Sequence, residues 1–599
     1  MENLKLQNTG WDLSLLTQGK SFEEKRIAWR KTTDDFISKW GGRKDYLEKP
    51  EILKEALNDY ENWEKNYGTD ADEFYYFWLK TQQDQNDSEL KAKFNKVEEF
   101  SKKIQNDMKF FILKISKIQK KKQKKFLGSD LLKDYKHFLE RAFENAKYHL
   151  SLKEEKIMSL KTKSSHSSWV KMVAGFLSRE EREVLDEDEK ISVKNFEELL
   201  GLMQSKNKKV RDKAASAFNE ILDKYKDVAE NELNAILNDK KINDELRGYD
   251  RPDKSRHLAD DLESEVVDII VETISKRFDI SKKYYELKTK LLGVKKLEYH
   301  ERSVEYGEVK KEFSFEKTLN LIYNVFNQLD KKFSAILRNF VENSQIDVYP
   351  KKGKRGGAFC VYSLLTHPVY VMLNHTNKLN DAKTFAHEMG HAINDELMRE
   401  KQNSFNFGTP SSTAEVASTF MEDFVLEELM KNADDELKLS LIMQKLNGDI
   451  SSLMRQVACD LFQRELHKDF REKGYLSHKE IGELFQKHMK NYMGDFVEQS
   501  NGSENWWVYW SHIREFFYNY QYASGLLISK FMQNQVKQNP EFIEKVKEFL
   551  SSGLSDSPKN IFAKIGIDIT EKKFWDRGLD EVENLLDEAE KLAKKLGKI

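Results

Sequence analysis

Two cysteines, Cys360 and Cys459, stand far apart in a chain of 599 residues. That excludes the disulfide framework common in secreted domains and points to a cytoplasmic protein. With only 7 prolines and 26 glycines, turns cannot recur every few residues, so an all-β architecture is excluded and the long breaker-free segments read as helix. No apolar run approaches the ~20 residues a membrane helix needs, and residues 1–7 hold no basic region followed by an apolar stretch. Neither a membrane span nor an export signal is expected. An excess charge is lacking too: 100 Lys and Arg face 102 Asp and Glu, which argues against a general polyanion-binding surface and against nucleic acid as a partner.

What is there is mostly amphipathic helix. Lys49-Pro50 opens a segment whose Leu53, Leu57 and Tyr60 fall at helical spacing. The aromatic run from Phe74 to Trp78 reads as core, and the lysine-rich stretch 114–125, with Phe126 on its apolar side, as a solvated helix face ending at Gly128. Residues 1–190 form a helical scaffold, and 191–599 hold the remaining helices. Texture changes once, at 346–374, where Gly353, Gly356 and Gly357 precede the β-prone run Val369 to Leu373. A small sheet is expected there.

Just after that strand the chain reads His387-Glu388-Met389-Gly390-His391. Two histidines four apart share one face of a helix, so both imidazoles reach a single ion, and Glu388 lies beside them to act on water at that ion. Catalytic zinc takes three protein ligands, so a third must come from elsewhere in the motif region 382–423. Glu415, in the first turn of a helix opened by Pro410-Ser411, is the leading candidate, with Glu422 and Asp423 competing. The reaction such a site supports is hydrolysis: Glu388 moves the water proton to the leaving amine, and a neutral phenol donates to the oxyanion. In the aromatic stretch 512–522 Tyr522 is the first choice for that donor, followed by His512 and Tyr518.

Three further segments extend the pattern: Tyr284 to Gly293, the loop Gly353 to Cys360, and His512 to Gly525. Together with the zinc motif and the Glu415 helix, they make the chain resemble the oligoendopeptidase F branch of the thimet-oligopeptidase-like zinc metallopeptidases. The resemblance implies a mainly α, two-lobed helical zincin of the gluzincin type, with a small β-sheet beside the zinc helix. In it, residues 1–190 would be the N-terminal lobe and 191–599 the catalytic domain. It further implies one Zn2+ at the bottom of a deep channel and short peptides as substrates, cut at internal bonds. By the same resemblance Gly356, Gly357, Ala358 and Tyr370 would line the channel. Ser511 stands where proline is expected, and Tyr299-His300-Glu301 where the branch often has Tyr-Asp. Two other readings compete: a dipeptidyl carboxypeptidase resembling angiotensin-converting enzyme, which shares the zinc motif, and a helical peptide-binding protein without activity. The glycine-rich loop and the scarcity of cysteine favour the oligoendopeptidase.

Overall fold

The structure, a computed structural model, describes residues 4–17, 19, 21–307, 312–431 and 433–599. It is mostly helical, as the scarcity of proline and glycine requires, and the chain forms two compact units, each assembled from three segments. The first comprises 1–152, 310–429 and 532–567; the second comprises 153–309, 430–531 and 568–599. A division at residue 190 follows chain order, whereas the compact units join segments distant in sequence, because helices bury their apolar faces against whichever partner fits. No helix among the described residues is long and apolar enough to cross a membrane.

In the first unit, the helix Pro50–Asn66 starts at the proline and buries Leu53 and Leu57. They join an aromatic-rich core with Trp29, Trp40, Trp63 and Phe111. Of the aromatic run at 74–78, Tyr75 is core and the others, partly buried, pack against it or its neighbours: Tyr75 stacks on His367 at 5.3 Å, and its hydroxyl donates to the carbonyls of Val361 and Pro368. The lysine-rich stretch ends in a helix, Lys120–Leu127, with Phe126 buried and Gly128 at its end.

Three short strands form the sheet of this unit: β1 (Ile346–Asp347), β2 (Phe359–Val361) and β3 (Tyr370–Met372), in the order β1-β3-β2. β3 runs parallel to β1, with Ile346 opposite Val371, and antiparallel to β2, with Cys360 opposite Val371. β3 is wholly buried and β2 is an edge strand. The helix α1 (Leu379–Lys401) follows. Its start is held by Asp381, whose carboxylate reaches back to the backbone N–H groups of Thr376 and Lys378 at 2.6 and 2.9 Å. A turn at Ser411–Thr413 leads into α2 (Ala414–Lys431), with Glu415 in its first turn.

The second unit is built around the 40-residue helix Lys208–Arg247, which ends at Gly248 in a left-handed conformation. Its small strands pair as an antiparallel hairpin, Glu181–Leu185 with Ile191–Asn195, and as the parallel pair Leu297–Glu298 with Val497–Glu498.

Candidate metal centre

His387 and His391 project from one face of α1, their ring centroids 5.0 Å apart. The Glu415 carboxylate reaches over both from α2, with Oε2 3.4 Å from His387 Nε2 and 3.8 Å from His391 Nε2. Bonds of about 2.0–2.1 Å in a tetrahedral site place neighbouring ligand atoms about 3.3 Å apart, so these three donors fit zinc with little adjustment. All three side chains are about a quarter exposed, which leaves an approach for water or substrate.

The helices come this close because of Gly390. A Cβ there would lie 2.6 Å from the Ala417 carbonyl oxygen and from Ser418 Cα, both backbone atoms of α2. Sequence reasoning placed the histidines and Glu415 but found no role for this glycine; its signal was a helix-weakening residue in mid-helix.

Electrostatics show what the donors seek. Burial pushes the His387 imidazole down, but hydrogen bonds to Glu415 and to Glu422 outweigh it and raise it to about 10. Burial also raises the Glu415 carboxyl, and His387 and His391 overcome it, holding Glu415 at about 2. Glu422, the competing candidate, faces the other nitrogen of the same ring. Its Oε2 lies 3.4 Å from His387 Nδ1, where it orients the ring, and Lys383 holds its other oxygen at 3.2 Å. The signal available in the sequence was its spacing of seven residues, two helical turns, from Glu415. His391 has a corresponding hydrogen bond to the Ala414 backbone, and Ser418 Oγ steadies Glu415 from 3.1 Å.

Glu388 is 7% exposed. Burial raises its carboxyl to about 7, while the backbone N–H of Cys360 on edge strand β2 donates to it. Of the loop expected to meet substrate, Gly356 and Gly357 are exposed, and Gly357 takes a φ of +76° that a side chain would strain. Asn374 holds this loop by donating to the Arg355 and Gly357 carbonyls. Ala358 leads into β2. Tyr370 is fully buried, its hydroxyl donating to the Asp12 carbonyl at 2.9 Å, so its ring is core beneath the sheet.

The other expected residues lie in the second unit. Phe516 and Phe517 both have positive φ, a strained turn that brings Tyr518 and Tyr522 onto His512. Ring centroids lie 5.9 Å apart for His512 and Tyr518 and 5.4 Å for His512 and Tyr522. Trp510 Nε1–H donates to His512 Nδ1 at 2.9 Å, and Tyr522 Oη lies 3.2 Å from His512 Nε2. Burial and the nearby Arg455 lower the His512 pKa. The neutral ring thus carries its proton on Nε2 and donates to the Tyr522 oxygen.

The sequence profile of peptidase family M3 matches residues 201–581, well over half of the chain. The chain belongs to this family. A second profile, described as Oligopeptidase F, matches residues 114–173. As an M3 peptidase the chain is a metalloendopeptidase, and membership implies a metal, for which His387, His391 and Glu415 are a fitting donor set. The chain is similar to the oligoendopeptidase F homolog of Lactococcus lactis subsp. lactis, 26% identical over 536 residues and covering 87% of both chains. It is likewise similar to that of Borreliella burgdorferi, 26% identical over 604 residues and covering 98% of both. In fold it resembles the oligoendopeptidase-F crystal structure from Enterococcus faecium, with a TM-score of 0.72, 18% identity, and coverage of 96% of this chain and 99% of that one.

Proposed function

We propose that the protein is a zinc-dependent oligoendopeptidase that hydrolyses internal bonds of short peptides, with one zinc per chain held by His387, His391 and Glu415. The observation that carries this is the Glu415 carboxylate lying 3.4 and 3.8 Å from the two imidazole nitrogens, with Glu388 buried beside them. The relatives named oligoendopeptidase F agree in reaction class. Bound zinc would supply Lewis acidity toward the scissile carbonyl and its attacking water.

The residues of the chain do the rest. Glu388, held by the Cys360 N–H, accepts the proton of the attacking water on its carboxylate and passes it to the nitrogen of the departing amine. Glu422 and the Ala414 backbone keep the two imidazoles turned toward the ligand position. Tyr522, its oxygen accepting from His512, is assigned to donate its phenol hydrogen to the oxyanion, with His512 as positioning residue and Tyr518 packed against both. The exposed backbone of Gly356 and Gly357 and the half-buried Ala358 are assigned to the substrate chain, and Tyr370 supports them from the core. Two free thiols, Cys360 and Cys459, support a cytoplasmic setting.

Metal analysis paired with turnover of a quenched fluorescent peptide tests the assignment. Zinc near one equivalent is expected in the unaltered protein and in Glu388→Gln, with turnover lost in the latter. His391→Ala should lose both. Full turnover by Glu388→Gln would falsify the general-base role.

A further inference from the structure

The second unit encloses a cavity of about 390 Å³ that shares no residue with the metal-ligand set. Its walls carry charge of one sign. Arg302 and Arg455 both line it, and no aspartate or glutamate does among the described residues. Directly behind stands Lys288, fully buried, which donates to the Arg302 carbonyl at 2.6 Å and to Asn447 Oδ1, also in the wall, at 3.3 Å.

Neither guanidinium has a carboxylate partner among the described residues. Arg302 is 7% exposed, and the one hydrogen bond its guanidinium makes among the described residues is to the Tyr299 carbonyl. Its guanidinium stacks 4.3 Å from the Tyr299 ring and 4.4 Å from Trp506. Arg455 lies 3.9 Å over Trp510, and its buried Nε has no hydrogen-bond partner among the described residues. Burial, reinforced by Arg302 and opposed by Glu305 and Glu301, pushes Lys288 down to about 7.

Buried charge without compensation costs several kcal/mol per ion even after relaxation, so a fold that keeps such a group has a use for it. Stacking occupies the faces of both guanidiniums and leaves their N–H edges to donate, and such a fork matches a planar or tetrahedral oxyanion in bidentate fashion. The rest of the wall joins the rings of Tyr285, Tyr492 and Tyr509 and the apolar Leu200 and Met203 to polar groups such as Gln204 and Ser451, and the volume falls in the range of small-molecule sites. We infer that this cavity is an anion-binding site for a small ligand carrying a carboxylate or phosphate on an aromatic or apolar body.

Isothermal titration of the full-length, metal-loaded protein tests this with four probes: N-acetylphenylalanine, its uncharged amide, phenyl phosphate and inorganic phosphate. One molecule of N-acetylphenylalanine or phenyl phosphate should bind per chain, at least about tenfold more tightly than the amide, the discrimination expected of a charge-assisted pair. Stronger binding of the carboxylate or of the phenyl ester identifies which oxyanion the site is built for. Inorganic phosphate binding as tightly as phenyl phosphate would overturn the role given to the aromatic wall. Carboxylates also ligate zinc, so binding must persist after zinc is removed with the neutral chelator phenanthroline. Arg302 packs between two rings and its loss endangers folding; Arg455→Gln touches one ring and should weaken binding at least about tenfold. Arg455→Lys, which keeps the charge and loses the fork, should weaken it less. No oxyanion binding by the unaltered protein, equal binding of acid and amide, loss of binding with the zinc, or unchanged binding in Arg455→Gln would each overturn the inference.

Discussion

Glu415 is suited to be a ligand through its neighbours. Ser418 donates to its carboxylate, and two imidazoles hold it ionised against the cost of burial. The same carboxylate on an isolated helix would be an exposed charge of little consequence. Glu422, seven residues on, faces the other nitrogen of His387 and fixes which atom of that ring points at the ligand position. Tyr522 has the corresponding relation to His512, whose proton position is set by Trp510. If the phenol acts on the oxyanion, Tyr522→Phe should lower kcat by about 10²–10³ with KM little changed, the range for one lost oxyanion donor. Steady-state kinetics on a quenched peptide give both constants. A silent Tyr522→Phe with an impaired Tyr518→Phe would transfer the role to Tyr518.

At the scale of elements, the spacing between α1 and α2 decides whether three donors can share an ion. Gly390→Ala puts a methyl group against α2 backbone that cannot turn away. Alanine is the better helix former by about 1 kcal/mol, so helical circular dichroism should be preserved. Zinc retention and activity should nonetheless fall at least about tenfold, because the helices must part. Undiminished zinc affinity would show that the contact yields.

The short helix Lys254–Ala259 carries a different element-level liability. His257 is fully buried, its Nδ1 3.0 Å from Ser264 Oγ, with Asp253 at 3.8 Å and Arg251 and Arg464 acting on it as well. Burial pushes its pKa down to about 4; Asp253 opposes the shift and the two arginines reinforce it. The unfolded imidazole titrates near 6.5, so the unfolded chain binds the extra proton first and stability falls as pH drops from about 6.5 to about 4. The loss from this residue is roughly 3 kcal/mol at ~1.4 kcal/mol per pH unit. His257→Gln should shrink the acid-induced shift of the urea midpoint by a corresponding amount, and an identical shift in both proteins would remove His257 from the account.

For the molecule as a whole, the exposure of the centre limits what can be cut. Glu388 is almost covered, and the three candidate ligands are about three-quarters covered. A scissile bond reaches them only in a chain that is locally extended. A short peptide loses mainly conformational entropy in adopting that form, whereas a folded protein must first unfold locally at a cost of several kcal/mol. We therefore expect a peptide of about 5–20 residues to be cut internally and a stably folded protein to be spared, as read by mass spectrometry. The peptide should be cut equally well with its C-terminus amidated, since an endopeptidase needs no free carboxylate. Cleavage that requires the free C-terminus would indicate a carboxypeptidase instead.

Helix content, the sheet region, the imidazole pair and Glu388 were legible in the sequence because each depends on local rules: breaker frequency, β-prone residues, and the four-residue spacing that stacks side chains on a helix. Glu415 was legible as a candidate, one of three carboxylates within nine residues on one helix. Its distances to the two imidazoles depend on the line of approach of α2 to α1, set by a glycine whose missing Cβ is felt only across the contact. The two left-handed phenylalanines before Tyr518, the burial of the Tyr370 ring, and the meeting of Arg302 and Arg455 around one cavity left no local signature either. Each is a relation between segments remote in sequence, and packing alone brings such segments to one place.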